Sequence, residues 1–278
     1  MTTKTDVMEI VSTLKLKGEA FALATVVRTV SVTAAKAGAK AVIRADGTIE
    51  GGWIGGGCAR AAVLKAAREV LEDGAPRLIS VQPPDALAAQ GVEPGESREG
   101  VRFARNMCPS QGTMDIFVEP VVPRPSLVVC GSSPVAVSLA RLAAAMGYDI
   151  TICAPAAEQD AFDAADTRID GYALGVTDPA ERFIVISTQG RGDEAAVRAV
   201  LDVDARYKAF VGSRRKMAAI RDKLTSEGIS PEAVEAIKAP AGLDIGAIAP
   251  EEIALSILSE IVALRRKSAR DALSAKGL

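Results

Sequence analysis

Two cysteines stand where glycine gives the backbone room. Cys58 ends the run Gly51-Gly52-Trp53-Ile54-Gly55-Gly56-Gly57 and precedes a helical pattern. Backbone amides and the helix dipole at such a point favour a thiolate. Cys108, in Met107-Cys108-Pro109-Ser110-Gln111-Gly112, falls on a turn before a strand. Both are candidates for functional, reactive thiols. The alternative for any single thiol is an inert, buried small hydrophobe. That reading suits Cys130, which lies inside the apolar run Ser126–Cys130.

A second group of residues could hold an anion. Gly131-Ser132-Ser133-Pro134-Val135-Ala136 has the strand–turn–helix layout of a dinucleotide fingerprint, with Ser133 in place of the middle glycine. The next strand ends Cys153-Ala154-Pro155, where an acidic residue ordinarily grips a ribose. Without that carboxylate, and with Ser133 adding bulk, NAD and NADH are expected to bind weakly; the turn could also bind nothing. Gly212-Ser213-Arg214-Arg215-Lys216 follows another strand, with Ser213 as N-cap and three cations in the first helical turn. Cations there oppose the helix dipole unless an anion sits between them, or they splay into water. Ser187-Thr188-Gln189-Gly190 ends a third strand. These are strand carboxyl ends, the edge at which open α/β sheets bind ligands, which favours a phosphate-bearing ligand.

Composition narrows the chemistry. The chain of 278 residues contains no histidine, which excludes histidine triads and histidine-ligated metals. Thirty-three Lys and Arg balance 35 Asp and Glu, so no basic excess points to nucleic acid. Four widely spaced cysteines form no disulfide framework and suit a reducing compartment. Neither a membrane span nor a signal core is visible, and a cytoplasmic location is expected.

The elements that must position these residues follow from periodicity. A first amphipathic helix is expected over 4–17, with Val7, Ile10, Val11 and Leu14 on one face. Strands are expected at Phe21–Val30 and Ala41–Arg44, with a hairpin turn at Asp46-Gly47. A helix follows from Ala59 to Glu72. Strands at Arg77–Val81 and Met114–Glu119 bracket a polar loop over 83–100. Pro120, Pro123 and Pro125 mark a linker that divides a first domain, 1–122, from a second, 126–278. Beyond it come strands at Ser126–Cys130, Asp149–Cys153, Arg182–Ser187 and Lys208–Val211. The helix over 134–146 is expected to turn Val135, Leu139, Leu142 and Met146 inward. The last helix runs from Pro250 to Lys267. The class is α/β, an α+β domain followed by a Rossmann-like, doubly wound parallel sheet.

The order of these segments resembles the XdhC/CoxI family of maturation proteins for molybdenum hydroxylases. The resemblance rests on Gly38-Ala39-Lys40 with Val42–Gly47, on Ile54-Gly55-Gly56-Gly57-Cys58, and on Cys108-Pro109-Ser110 with Phe117–Pro120. In the second half it rests on Val211–Lys216 and on Ala239-Pro240-Ala241-Gly242-Leu243-Asp244-Ile245-Gly246-Ala247. It covers nearly the whole chain, and the nearest branch looks like CoxF, from carbon monoxide dehydrogenase gene clusters. The sequence departs from the commoner pattern at Ser31–Lys36, Ser133, Pro134 and Ala154. The resemblance implies a chaperone rather than a turnover enzyme. Its transient cargo would be molybdenum cofactor as a pterin cytosine dinucleotide. Gly55, Gly56, Gly57, Gly131, Ser132, Ser133, Ser213, Arg214, Arg215 and Asp244 would contact that cofactor, and Cys58 and Cys108 would carry sulfur or metal. Implied partners are the apo large subunit of the hydroxylase, a sulfur donor and a second copy of the chain. The competing reading is an FAD- or NAD(P)-dependent oxidoreductase that uses the second domain.

Overall fold

The computed structural model describes residues 6–174 and 181–274, with side chains as far as Lys267. The chain forms two compact units, which divide between Pro123 and Arg124.

The first unit runs α1 (Val7–Leu16), β1 (Phe21–Val30), β2 (Lys40–Arg44), β3 (Ile49–Gly52), α2 (Gly57–Asp73), β4 (Arg77–Gln82), α3 (Pro84–Gln90), β5 (Ser97–Arg98), β6 (Val101–Arg105) and β7 (Thr113–Val121). Its strands pair in the order β3-β2-β1-β7-β4-β6-β5. Only β4 and β6 run parallel. Helix α2 buries Val63, Ala66, Ala67 and Val70 against Ala24, Ile79, Ile116 and Val118 on one sheet face. Helix α1 lays Val11 and Leu14 on Phe21 and Val42; residues 4 and 5 of the expected helix lie outside the described residues. The hairpin forms as its turn signal implies, with Gly47 at φ 87° and the Thr48 N–H on Asp46 Oδ1 at 2.8 Å.

The expected polar loop over 83–100 is not a loop. It holds α3 and the short strand β5, which lead into the equally unexpected β6. Leu87, Val92 and Phe103 form a small core of their own there. The residues of this core are spread over 17 positions without a period, so the segment reads as polar in sequence.

The second unit runs β8 (Ser126–Cys130), α4 (Pro134–Ala145), β9 (Asp149–Ala154), a 3-10 turn (Ala156–Glu158), β10 (Thr167–Asp170), β11 (Arg182–Ile186), α5 (Asp193–Val200), β12 (Tyr207–Phe210), α6 (Arg214–Ser226), α7 (Pro231–Glu235) and α8 (Pro250–Ser274). The sheet order is β10-β9-β8-β11-β12, all parallel. Alternate side chains face opposite ways along each strand. Leu127, Val129, Ile150 and Val185 meet α4 and α8. Val128, Cys130, Ile184 and Ile186 meet α5, α6 and α7. The order reverses between β8 and β11, which opens a crevice at their carboxyl ends.

One helix face differs from expectation. Val135 and Leu139 face inward as expected, but Leu142 and Met146 are exposed, and Ala136, Ala140 and Ala143 complete the packed face of α4. Alanines let the helix approach the sheet closely, so hydrophobic bulk does not mark the stripe that faces inward.

Candidate functional site

In the first unit the glycine run ends as a bare helix start. Gly55 needs its glycine, at φ 110°. Gly56 is the N-cap in extended conformation and supplies no side-chain cap, and the first turn of α2 holds no acidic residue. Cys58 lies in that first turn, half-buried, one residue inside the helix rather than ahead of it.

The loop that carries Cys108 comes to meet it. Asn106 clamps this loop: its N–H donates to the Gln82 carbonyl at 2.6 Å, its Nδ2 to the Gly112 carbonyl at 2.6 Å, and its Oδ1 accepts from the Cys108 N–H at 2.9 Å. Gly112 cannot carry a side chain, because a Cβ would stand 2.2 Å from the Val32 carbonyl oxygen. Held in this way, the loop directs the Met107 N–H onto Cys58 Sγ at 3.3 Å. The Cys58 and Cys108 segments are thus brought together, with Met107 and Cys58 49 residues apart. Val32 bridges to Gln111, so the departing stretch Ser31–Lys36 borders the Cys108 segment. Among the described residues no group of three or more Cys, Asp or Glu side chains is placed to hold a metal ion. Asn106 and the Met107 amide were not among the candidates from sequence. An Asn two residues before Cys108 is a side-chain turn signal that could have flagged the first; a backbone contact has no residue signature.

In the second unit the fingerprint turn is closely fitted. A Cβ on Gly131 would lie 2.4 Å from the Ser187 carbonyl oxygen, and the residue has φ 112°. Ser133 does not obstruct a ligand as its bulk implied. Its Oγ is turned inward, accepts from the Ala136 N–H at 3.1 Å as the N-cap of α4, and meets Ser187 Oγ at 2.6 Å. Pro134 follows as the first helical residue.

Ala154 ends β9 fully buried. A carboxylate nevertheless comes back to the turn: Glu158 accepts a hydrogen bond from Ser132 Oγ on its Oε2. The backbone under it is pinned, since Gln159 Nε2 donates to the Ala154 and Ile169 carbonyls at 2.6 and 2.8 Å. Glu158 was not among the candidates from sequence, because it lies past the strand end at which the motif places its carboxylate.

The cations of α6 divide. Ser213 caps the helix by accepting from the Lys216 N–H at 3.2 Å. Lys216 pairs with Asp193 at 2.5 Å and lies over the Phe210 ring. Arg214 and Arg215 are exposed and form no ion pair among the described residues. Burial pushes Asp193 up, but Lys216, the Thr188 hydroxyl and the Gly190 N–H bring it below its ordinary value.

Ser213, Arg214 and Asp244 share a cleft of about 670 Å³, lined also by the loop 238–247. Gly242 holds this loop close: a Cβ there would meet Ser256 Oγ at 2.3 Å, and the Gly242 N–H donates to Glu260 Oε2 at 3.1 Å. Glu260 also takes the Tyr207 hydroxyl at 2.6 Å and Lys238. Burial, then Glu260, pushes the Tyr207 phenol far above its ordinary range, so it stays a donor. A second cleft of about 240 Å³ shares Val211 and Ile253 with the first and reaches Ser133, Ser187 and Gln189. Arg215 lines neither cleft.

The second unit is therefore a Rossmann-type domain with clefts at the carboxyl edge of its sheet, preceded by an α+β domain with paired cysteine segments. Residues 127–261 match the model of the XdhC Rossmann domain, and residues 14–82 that of the XdhC and CoxI family. Together these matches cover well over half of the chain, which belongs to that family. The chain is 28% identical over 238 residues to the uncharacterized protein YqeB of Escherichia coli, covering 83% of this chain and 41% of that protein. It is 28% identical over 165 residues to a probable xanthine dehydrogenase subunit of Bacillus subtilis, covering 56% of this chain and 48% of that one. It thus spans under half the length of these relatives. A Bacillus halodurans structure described as a xanthine dehydrogenase aligns over 95% of this chain and 96% of its own, at 18% identity and a TM-score of 0.45. No helix among the described residues is long and apolar enough to cross a membrane.

Proposed function

We propose that the protein is a maturation factor for a molybdenum hydroxylase, of the CoxF type, which serves carbon monoxide dehydrogenase. Its cargo is a molybdenum pterin cytosine dinucleotide, received with a sulfur donor and passed to the apo large subunit, with two copies of the chain acting together in the cytoplasm. The observation that carries this reading is the Met107 N–H on Cys58 Sγ, which joins the two cysteine segments of the family into one site. Family membership and the name of the Bacillus subtilis relative support the class of client.

The chain's own residues divide the work. Cys58 and Cys108 offer two soft donors and leave further coordination positions to the cargo or the client. The bare first turn of α2 receives negative charge next to Cys58. Ser213 and Arg214 offer a hydroxyl and an unpaired guanidinium to a pyrophosphate in the large cleft. The bound cofactor supplies the metal and its oxo and sulfido chemistry.

Cys58→Ser and Cys108→Ser should leave circular dichroism unchanged and abolish activity of the co-expressed client hydroxylase. Full client activity with both variants would overturn the role of the thiols. Flavin absorption bands in freshly purified protein, without molybdenum, would instead support the oxidoreductase built on FAD.

A further inference from the structure

We propose that Glu158 is the ribose-binding carboxylate of the second unit, gripping the 2′-hydroxyl of a nucleoside diphosphate through Oε1 while Oε2 holds Ser132. The inference rests on the reading of the protein as a dinucleotide binder and names the part of the ligand that this sheet edge recognises.

In parallel sheets of this kind the ribose lies over the turn after the first strand, beside the end of the next strand, and an acidic side chain there accepts from its hydroxyls. The residue at that strand end, Ala154, is buried and has no acceptor. Glu158 brings one to the same place from four residues further on, because Pro155 ends the strand and the 3-10 turn folds the chain back. Its contact with Ser132 fixes where the carboxylate stands, since Ser132 is the second residue of the fingerprint turn. Oε1 takes no hydrogen bond from any described residue, and the side chain is half-exposed. The acceptor is thus both placed and free.

The position is built to stay. Gln159, buried, ties the turn to the ends of β9 and β10. The Ala156 N–H donates to Asp170 Oδ1 at 2.9 Å, and Arg168 donates to the Gln159 carbonyl at 2.7 Å. Tyr172 stands close by; burial, then the charges of Glu158 and Asp193, raise its phenol, which donates to the Arg191 carbonyl at 3.1 Å. Both the adenine half of FAD and the cytosine half of the pterin dinucleotide carry this ribose diphosphate, so the contact serves either.

Calorimetric titration of the full chain with ADP, CDP and their 2′-deoxy counterparts tests it. Wild type should lose roughly 10-fold in affinity on removal of the 2′-hydroxyl, the value of one charged hydrogen bond. Glu158→Ala should bind the ribonucleotides more weakly by a similar factor and should no longer distinguish them from the 2′-deoxy forms, and Glu158→Gln, which keeps an acceptor without the charge, should show a smaller penalty than wild type. Preference for ADP would point to a flavin-type ligand and preference for CDP to the pterin cytosine dinucleotide; either leaves the ribose contact standing. A variant that binds ADP or CDP as wild type does, with the 2′-deoxy penalty intact, overturns the role of Glu158 and leaves the dinucleotide reading in place. Wild type that binds neither nucleotide at millimolar concentration overturns both.

Discussion

Gly131 of one candidate site and the pair Gly56 and Gly57 of the other do opposite work. At Gly131 the backbone of the neighbouring strand end comes so close that no side chain fits, and φ is positive. At Gly56 and Gly57 nothing lies within 4 Å of a built Cβ, and neither residue has a positive φ. The polar groups differ in the same way. Around the sheet edge Ser133 is bonded to Ser187, and Asp193 to Thr188 and Lys216, whereas the start of α2 has no capping side chain. The fold uses Gly131, Ser133 and Asp193 to hold the sheet edge. It leaves Gly56 and Gly57 unused, and openness without a structural cause is the stronger sign of a ligand.

Gly131→Ala should therefore be the most damaging single change. It sets a Cβ against the Ser187 carbonyl and forces an L-residue to φ 112°. Strain and overpacking together should cost about 3–5 kcal/mol. Urea unfolding of the variant would read this as a fall in midpoint. A loss below about 0.5 kcal/mol, the scale of an ordinary surface change, would show that the strand ends can part and that the contrast between the sites is not one of rigidity.

The same contrast decides what could be read from sequence. Ser126–Cys130 was legible as a strand because it is a short, mostly apolar run, buried throughout, and Ser213 as a cap because capping needs such a side chain at that position; Ser133, read as bulk against a ligand, turned out to cap α4. The edge strand β10, Thr-Arg-Ile-Asp, was not, since it is largely exposed and carries no apolar run. Leu142 and Met146 misled because the tight packing of α4 is done by alanines. Cys58 and Cys108 could be singled out one by one. Their meeting through the Met107 N–H could not, because it depends on the path of a loop fixed by Asn106 and Gly112.

Asp193→Asn would sharpen the account of the bonded edge. The carboxylate serves Thr188, the Gly190 N–H and Lys216, and the amide keeps the shape while losing the charge. The expected loss at neutral pH is about 1–2 kcal/mol. Because folding lowers this aspartate below its ordinary 3.8, its contribution is complete above that value and drains as pH falls through the folded one. The gap between wild type and variant should then narrow in urea titrations at about pH 3, below the ordinary aspartate range. An equal gap at both pH values would mean that the carboxylate is not held as a charge.

The smallest stability effect carries the most about function. Gly57→Ala meets no atom and sits at the first helical position, where alanine is the better residue. The variant should be as stable as wild type or more so, by roughly 0.5–1 kcal/mol. If the glycine is there to let a ligand approach the amides beside Cys58, the same methyl group should reduce client maturation while the protein melts higher. Such opposed changes, in thermal unfolding and in co-expressed client activity, would separate a binding role from a folding role at this residue. A variant that gains stability and matures its client fully would mean that the run from Gly55 to Cys58 is merely loose backbone. The case for a ligand at the first unit would then rest on the thiols alone.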